Sequence, residues 1–136
     1  MKKAFVILCV IATLIIVSGC SKEYTYGVYE IELSPELISN DHVGNDWKVS
    51  YSCNGTKING GEHWLALLDN PQPVVIDITV KENDKIPDIG TGSLTVTFNG
   101  ESEIKTEISV TEDGGSHQGN KARWEVTCKV NLIEMK

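Results

Sequence analysis

Apolar and polar residues alternate along most of the chain beyond residue 24, and this alternation constrains the fold more than any other feature. Successive side chains of a β-strand point to opposite faces, so a period of two predicts strands with one buried face. No apolar stripe with the 3.6-residue period of a helix persists for three turns in this part of the sequence. The alternating runs cover residues 29–33, 47–53, 74–80, 94–98, 104–110 and 124–132.

Turn-forming residues separate these runs. Asn54-Gly55 and Asn99-Gly100 accept the positive φ of tight turns, so they predict hairpins over residues 53–56 and 98–101. The early aromatic residues change from even to odd positions near Gly27, which predicts a bulge there. Residues 63–68 fit either a short strand or a helical turn. The pattern predicts an all-β fold, an antiparallel sandwich of about seven or eight short strands in a single domain over residues 24–136.

The first 19 residues have a different character from the rest of the chain. Lys2 and Lys3 precede an uninterrupted apolar run over residues 4–17, and the small residues Ser18 and Gly19 follow it. This order is typical of a cleaved export signal. The alternative is a transmembrane helix, but the run is shorter than the roughly 20 residues that such a helix needs.

The segment Val17-Ser18-Gly19-Cys20 resembles the lipobox of bacterial lipoproteins. The resemblance implies that the Cys20 sulfur receives a diacylglyceryl group, carrying fatty acids such as palmitate, and that cleavage makes Cys20 the mature N-terminus. Two or more acyl chains give a stable anchor. Residues 20–23 are then a lipidated tether, and the domain is expected at the cell membrane, anchored in the lipid bilayer and facing outside the cytoplasm.

The mature chain is strongly acidic. Loss of Lys2 and Lys3 with the signal changes the formal net charge from −7 to −9. This charge disfavours nucleic acid as a partner and also disfavours adsorption to anionic lipid headgroups. The same charge is equally explained as a means of keeping an exported domain soluble.

Two cysteines, Cys53 and Cys128, remain in the mature chain, and both lie on the apolar faces of their runs. Outside the cytosol an even pair of this kind favours a disulfide between two sheets, and two buried unreactive thiols are the alternative. The domain also resembles an immunoglobulin-like sandwich. That resemblance implies a bridge beside a buried tryptophan, for which Trp47 and Trp124 are the candidates.

A concentration of oxygen donors occupies residues 82–90, directly after an apolar run, with acids at Glu82, Asp84 and Asp88. The stretch 80–96 resembles a calcium loop of C-two-type β-sandwiches, which implies that the three acids hold calcium. Three ligands are fewer than the six to eight that calcium takes, so backbone oxygens, water or a second loop such as 41–46 must complete the shell. The alternative interpretation is a solvated acidic hairpin.

Other motifs are sparse. His42, His63 and His117 show no zinc-ligand spacing, and the chain has no nucleophile elbow and no phosphate-binding loop. Residues 111–120 form either a recognition loop or a disordered connection. The sequence therefore favours a noncatalytic module that binds a protein or cell-wall ligand, with calcium as the candidate cofactor; the alternative is a small inhibitor or protective lipoprotein of the envelope that blocks an enzyme.

Overall fold

The computed structural model describes residues 27–58, 64–68, 73–98 and 100–135, and these residues form eight strands in two four-stranded antiparallel sheets. The export signal, Cys20 and the tether lie outside the described residues, so the cleavage and the lipid anchor stay predictions. Within the described ranges, no helix has the length and apolar character needed to cross a bilayer. The strands are β1 (Gly27–Asn40), β2 (Trp47–Cys53), β3 (Thr56–Ile58), β4 (Trp64–Leu68), β5 (Val74–Glu82), β6 (Asp88–Val96), β7 (Ser102–Thr111) and β8 (Lys121–Met135).

The first sheet has the order β4-β1-β8-β7, and the second has the order β3-β2-β5-β6. The all-β sandwich predicted from the alternation is confirmed, because the predicted apolar faces form a core between the sheets. A register shift between Val28 and Tyr29 supplies the predicted bulge near Gly27. The ambiguous segment forms strand β4, and His63 lies outside the described residues. The innermost side chains include Ile76, Ile78, Val80, Val96, Ile108, Val110, Val126 and Val130.

One of the two predicted hairpins is confirmed. Cys53 pairs with Thr56 across a two-residue turn, and Asn54 and Gly55 have φ values of 50° and 77°. Positive φ at both central residues is the type I′ geometry, which matches the right-handed twist of the flanking strands. The Asn-Gly pair therefore sets the β2–β3 connection.

The predicted hairpin over residues 98–101 is wrong. Strand β6 belongs to the second sheet and β7 to the first, so the connection between them crosses from one sheet to the other. Phe98 is buried at this crossing, where its backbone carbonyl accepts a 3.1 Å hydrogen bond from the hydroxyl of Tyr29. The two rings also contact each other, with centroids 5.1 Å apart. The contacts of Phe98 with Tyr29 hold the connection against the first sheet, so the chain passes to that sheet instead of turning back beside β6. The turn-forming residues alone do not show this.

Three connections converge at one end of the sandwich, here called the acidic end. They are residues 41–46 between β1 and β2, residues 83–87 between β5 and β6, and residues 112–120 between β7 and β8. The amide of Asn83 donates to the Asp46 carbonyl at 2.8 Å, which ties the first two together. Gly27, at the start of β1, pairs with Leu68 and Met135 at the opposite end.

Cys53 and Cys128 are both buried, and they lie on strands of opposite sheets. Burial raises the pKa of the Cys128 thiol to about 11, so its reactive thiolate is disfavoured near neutral pH. The rings of Trp47 and Trp124 contact each other edge to face between the two sheets, with centroids 5.5 Å apart. Along their strands, both tryptophans lie nearer the acidic end than the cysteines do. The disulfide stays a prediction.

Strand β6 approaches β7 closely, and two glycines face the interior there. A Cβ built on Gly90 would lie 2.5 Å from the backbone oxygen of Ser109. A Cβ on Gly92 would instead meet the side chain of Ile108, at 2.8 Å from its Cγ1. The Ser109 backbone cannot move aside as the Ile108 side chain can. A side chain is therefore less well tolerated at Gly90 than at Gly92.

We predict that Gly90→Ala destabilises the protein by about 1–3 kcal/mol, the usual cost of overpacking. Gly92→Ala is the matched control, on the same face of the same strand, and should cost less because the Ile108 side chain can change rotamer. Chemical denaturation of both variants checks the order. Equal stabilities of the two variants would contradict the close backbone approach.

Candidate metal centre

Glu82 and Asp88 occupy positions where the alternation would place core residues. Glu82 follows Ile76, Ile78 and Val80 on the inward face of β5, and Asp88 begins the inward face of β6. The two residues are direct partners in the β5–β6 register. Like charges directly opposite each other on antiparallel strands are destabilising, so this pair needs a compensating interaction.

Both carboxylates are buried, with Glu82 only 2% exposed and Asp88 only 3% exposed. One oxygen of each is satisfied: Asp88 Oδ1 accepts from the amide of Asp113 at 2.8 Å, and Glu82 Oε1 accepts from the amide of Asp46 at 3.4 Å. Glu82 Oε2 and Asp88 Oδ2 have no hydrogen-bond partner. A buried carboxylate without a partner carries a large desolvation cost, so these two oxygens point to a missing positive group.

The third acid, Asp84, is exposed in the loop between the strands. Its Oδ1 accepts from the amide of Ile86 at 2.8 Å, which closes a local turn and fixes the carboxylate. One ligand oxygen from each of Glu82, Asp84 and Asp88 lies within 4.8 Å of the others. Two oxygens on one calcium ion are separated by at most about 5 Å, given bonds of ~2.3–2.6 Å. The three predicted ligands are therefore brought together, at a spacing that suits calcium.

A fourth acid, Glu112, approaches the cluster from the other sheet closely enough to feel its charges, although its carboxylate is not among the ligand oxygens that lie within 4.8 Å of one another. Its pKa is raised by burial and by the negative charges of Asp88 and Asp84, with a smaller effect of Glu82. Its backbone is fixed by hydrogen bonds of 2.9 Å with Asn120 and Gly119. A cation held by these four acids would link the connection after β7 to strands β5 and β6.

The connection over residues 41–46 contributes backbone rather than carboxylates. Asn40 closes it, since its side chain accepts from the Val43 amide at 3.0 Å and donates to the Gly44 carbonyl at 2.6 Å. Gly44, at φ 129°, packs against the Glu82 carboxylate, where any Cβ would collide with it. Asp41 pairs with His42, and neither Asp41 nor Asp46 belongs to the cluster of ligand oxygens, so a contribution of this loop to the shell stays a prediction.

No basic side chain of the described residues pairs with the four acids. The ion pairs found there join Lys105 with Glu125, Arg123 with Glu107, and His42 with Asp41. Four carboxylates with no cationic side chain make a strongly negative site, and hard divalent cations are the ligands that such oxygens prefer. The arrangement can hold calcium and fix the three connections at the acidic end.

Sequence reasoning missed Glu112 because it lies 24 residues after Asp88, in a segment interpreted as a recognition loop or a disordered connection. Only the sheet order, which places the end of β7 beside the start of β6, brings it to the site. The one available signal was its position directly after an alternating run. The strands of a sandwich all end at one of its two ends, so an acid at a strand end can lie near acids at the ends of other strands.

The comparison with known protein families finds no matching family, and the comparison with curated proteins finds no match either.

We predict that Glu112→Gln raises the melting temperature of the calcium-free protein at pH 7. A glutamate whose folded-state pKa is raised destabilises the fold once it ionises, so the difference between wild type and variant should grow as the pH rises above the unfolded-state value and vanish in acid. With calcium added the order should reverse, because the variant loses a ligand. Thermal unfolding at several pH values checks this.

The matched control is Glu101→Gln, which removes one exposed acid directly before β7, away from the acidic end. It should change neither the pH dependence nor the response to calcium. A Glu112 variant that behaves like this control would remove Glu112 from the site.

Proposed function

We propose that this protein is a lipid-anchored, extracytoplasmic β-sandwich module that binds calcium at its acidic end and uses that end for noncatalytic recognition. The observation that carries the proposal is the buried pair Glu82 and Asp88, each with one carboxylate oxygen that lacks a partner. Calcium supplies the charge and the ligand bonds that this pair requires. Asp84 and Glu112 give two further ligands, and water or backbone oxygens complete the coordination.

The direction of β1 supports a role beyond the anchoring membrane. A lipid on Cys20 would attach the chain near Gly27, whereas β1 ends at Asn40, next to the acidic end. Fourteen residues of strand, at ~3.3 Å each, separate these points by about 45 Å. The calcium-binding end is thus directed away from the membrane that holds the protein.

Exposed apolar side chains next to the acids support recognition. Ile86 is 61% exposed in the loop with Asp84, and Ile89 is 56% exposed directly after Asp88. A partner that contacts the acidic end would cover these two side chains and remove their apolar surface from water. A protein or cell-wall ligand in the extracytoplasmic space is the partner class that this arrangement fits.

Calcium should raise the melting temperature of the purified protein. For an affinity of ~10⁻⁴–10⁻³ M, typical of extracellular modules, several millimolar calcium adds about 1–2 kcal/mol, a shift on the order of 5–10 °C. The double variant Asp84→Asn, Asp88→Asn should abolish the shift, and Asp77→Asn, an exposed acid in the middle of β5, should keep it. No heat of binding and no shift at several millimolar calcium would overturn the proposed site.

Lipidation is tested separately from calcium binding. Cys20→Ala should move the protein from the membrane fraction to a soluble or unprocessed pool, while Cys9→Ala, in the segment removed by cleavage, should leave its recovery unchanged. Normal processing and membrane recovery of the Cys20 variant would overturn the anchor and leave the calcium proposal standing.

A further inference from the structure

Two histidines that are far apart in sequence meet at the acidic end. His42 lies in the β1–β2 connection and His117 ends the short 3-10 turn Gly115–His117 between β7 and β8. Their rings stack with centroids 5.4 Å apart and an interplanar angle of 15°. The two histidines have no metal-ligand spacing along the chain, since it is the packing of the sandwich that brings them together.

The backbone holds each histidine in place. His42 has φ 56°, in the left-handed region that residues other than glycine adopt infrequently. The flanking amide of Asp41 donates to the Lys121 carbonyl at 3.1 Å, which ties this loop to the start of β8. The carbonyl of His117 accepts from the Asn120 amide at 3.0 Å. The two rings are therefore presented by anchored loops.

Asp41 orients the first ring. Its Oδ1 lies 3.1 Å from His42 Nδ1, so a proton on Nδ1 is donated to the carboxylate and the lone pair of Nε2 stays available. A carboxylate that holds the far nitrogen of a metal-binding histidine is the common arrangement at zinc sites, where it fixes the tautomer and increases the basicity of the ligand.

We propose that His42 and His117 form a second metal site, for a divalent transition ion such as zinc, separate from the calcium site. Imidazole nitrogen suits zinc and copper, whereas calcium takes oxygen ligands, so the two sites at this end differ in the class of ion they select. Zinc bonds of ~2.0–2.1 Å require two nitrogens closer than the stacked ring centres. Metal binding therefore requires that these exposed rings, of which the His42 side chain is 74% exposed, turn out of the stacked arrangement so that one nitrogen of each reaches the ion, and water completes the coordination.

The test is calorimetric titration of the purified protein with zinc in the presence of excess calcium, combined with electron paramagnetic resonance of bound copper. We expect one ion per chain and copper hyperfine structure from two nitrogens. His42→Asn and His117→Gln should each abolish the two-nitrogen signal. Asparagine also tolerates the left-handed backbone at position 42, so loss of binding would not reflect misfolding. Asp41→Asn should weaken zinc binding about tenfold.

His63→Asn is the control, since it removes the third histidine of the chain and should leave binding intact. Zinc binding that survives both His42→Asn and His117→Gln would overturn the proposal, as would binding lost in the Glu82→Gln, Asp88→Asn variant instead. Because the calcium experiments use melting temperature and the acidic variants, failure of either site leaves the other independently testable.

Discussion

The acidic end of this protein depends on one electrostatic constraint: two carboxylates, Glu82 and Asp88, face each other inside a β-sandwich. Burial strengthens their mutual repulsion, and one oxygen of each lacks a hydrogen-bond partner. Other features of this end converge on the pair. The Asp113 and Asp46 amides donate to it, Gly44 makes room for it, and Asp84 and Glu112 extend its charge rather than neutralise it. A divalent cation bound between the two carboxylates would relieve their repulsion and would supply a partner for both unpaired oxygens.

Binding at this point would have structural consequences beyond the ion itself. Glu82 and Asp88 belong to the second sheet, while Glu112 follows β7 of the first sheet, so a shared ion would join the two sheets at their open end. The Asp113 amide already spans this gap through Asp88. The same end carries the paired histidines and the exposed Ile86 and Ile89. The rest of the sandwich supports the three connections at this end, and loops held by a rigid scaffold are where binding residues of proteins commonly lie.

Alternation in the sequence predicts most of the fold, because each strand buries one face and the side-chain period is two. All three acids of residues 82–90 are evident from the sequence, and the same parity places Glu82 and Asp88 on the inward faces of their strands. Sheet order could not be obtained this way. Residues 98–101 look like a hairpin locally, yet they cross between sheets, since long-range packing of Phe98 against Tyr29 outweighs the turn preference. Glu112 and the His42–His117 pair depend on that order, which explains why local spacing missed them.

A crystal structure of the protein grown with calcium tests the central claim most directly. The account predicts an ion between Glu82 Oε2 and Asp88 Oδ2, at the ~2.3–2.6 Å typical of calcium–oxygen bonds, with Asp84 and Glu112 oxygens in the same shell. Anomalous scattering identifies the ion. The contradictory result is a site without an ion at saturating calcium, in which the Glu82 and Asp88 carboxyl groups instead share a proton in a short hydrogen bond.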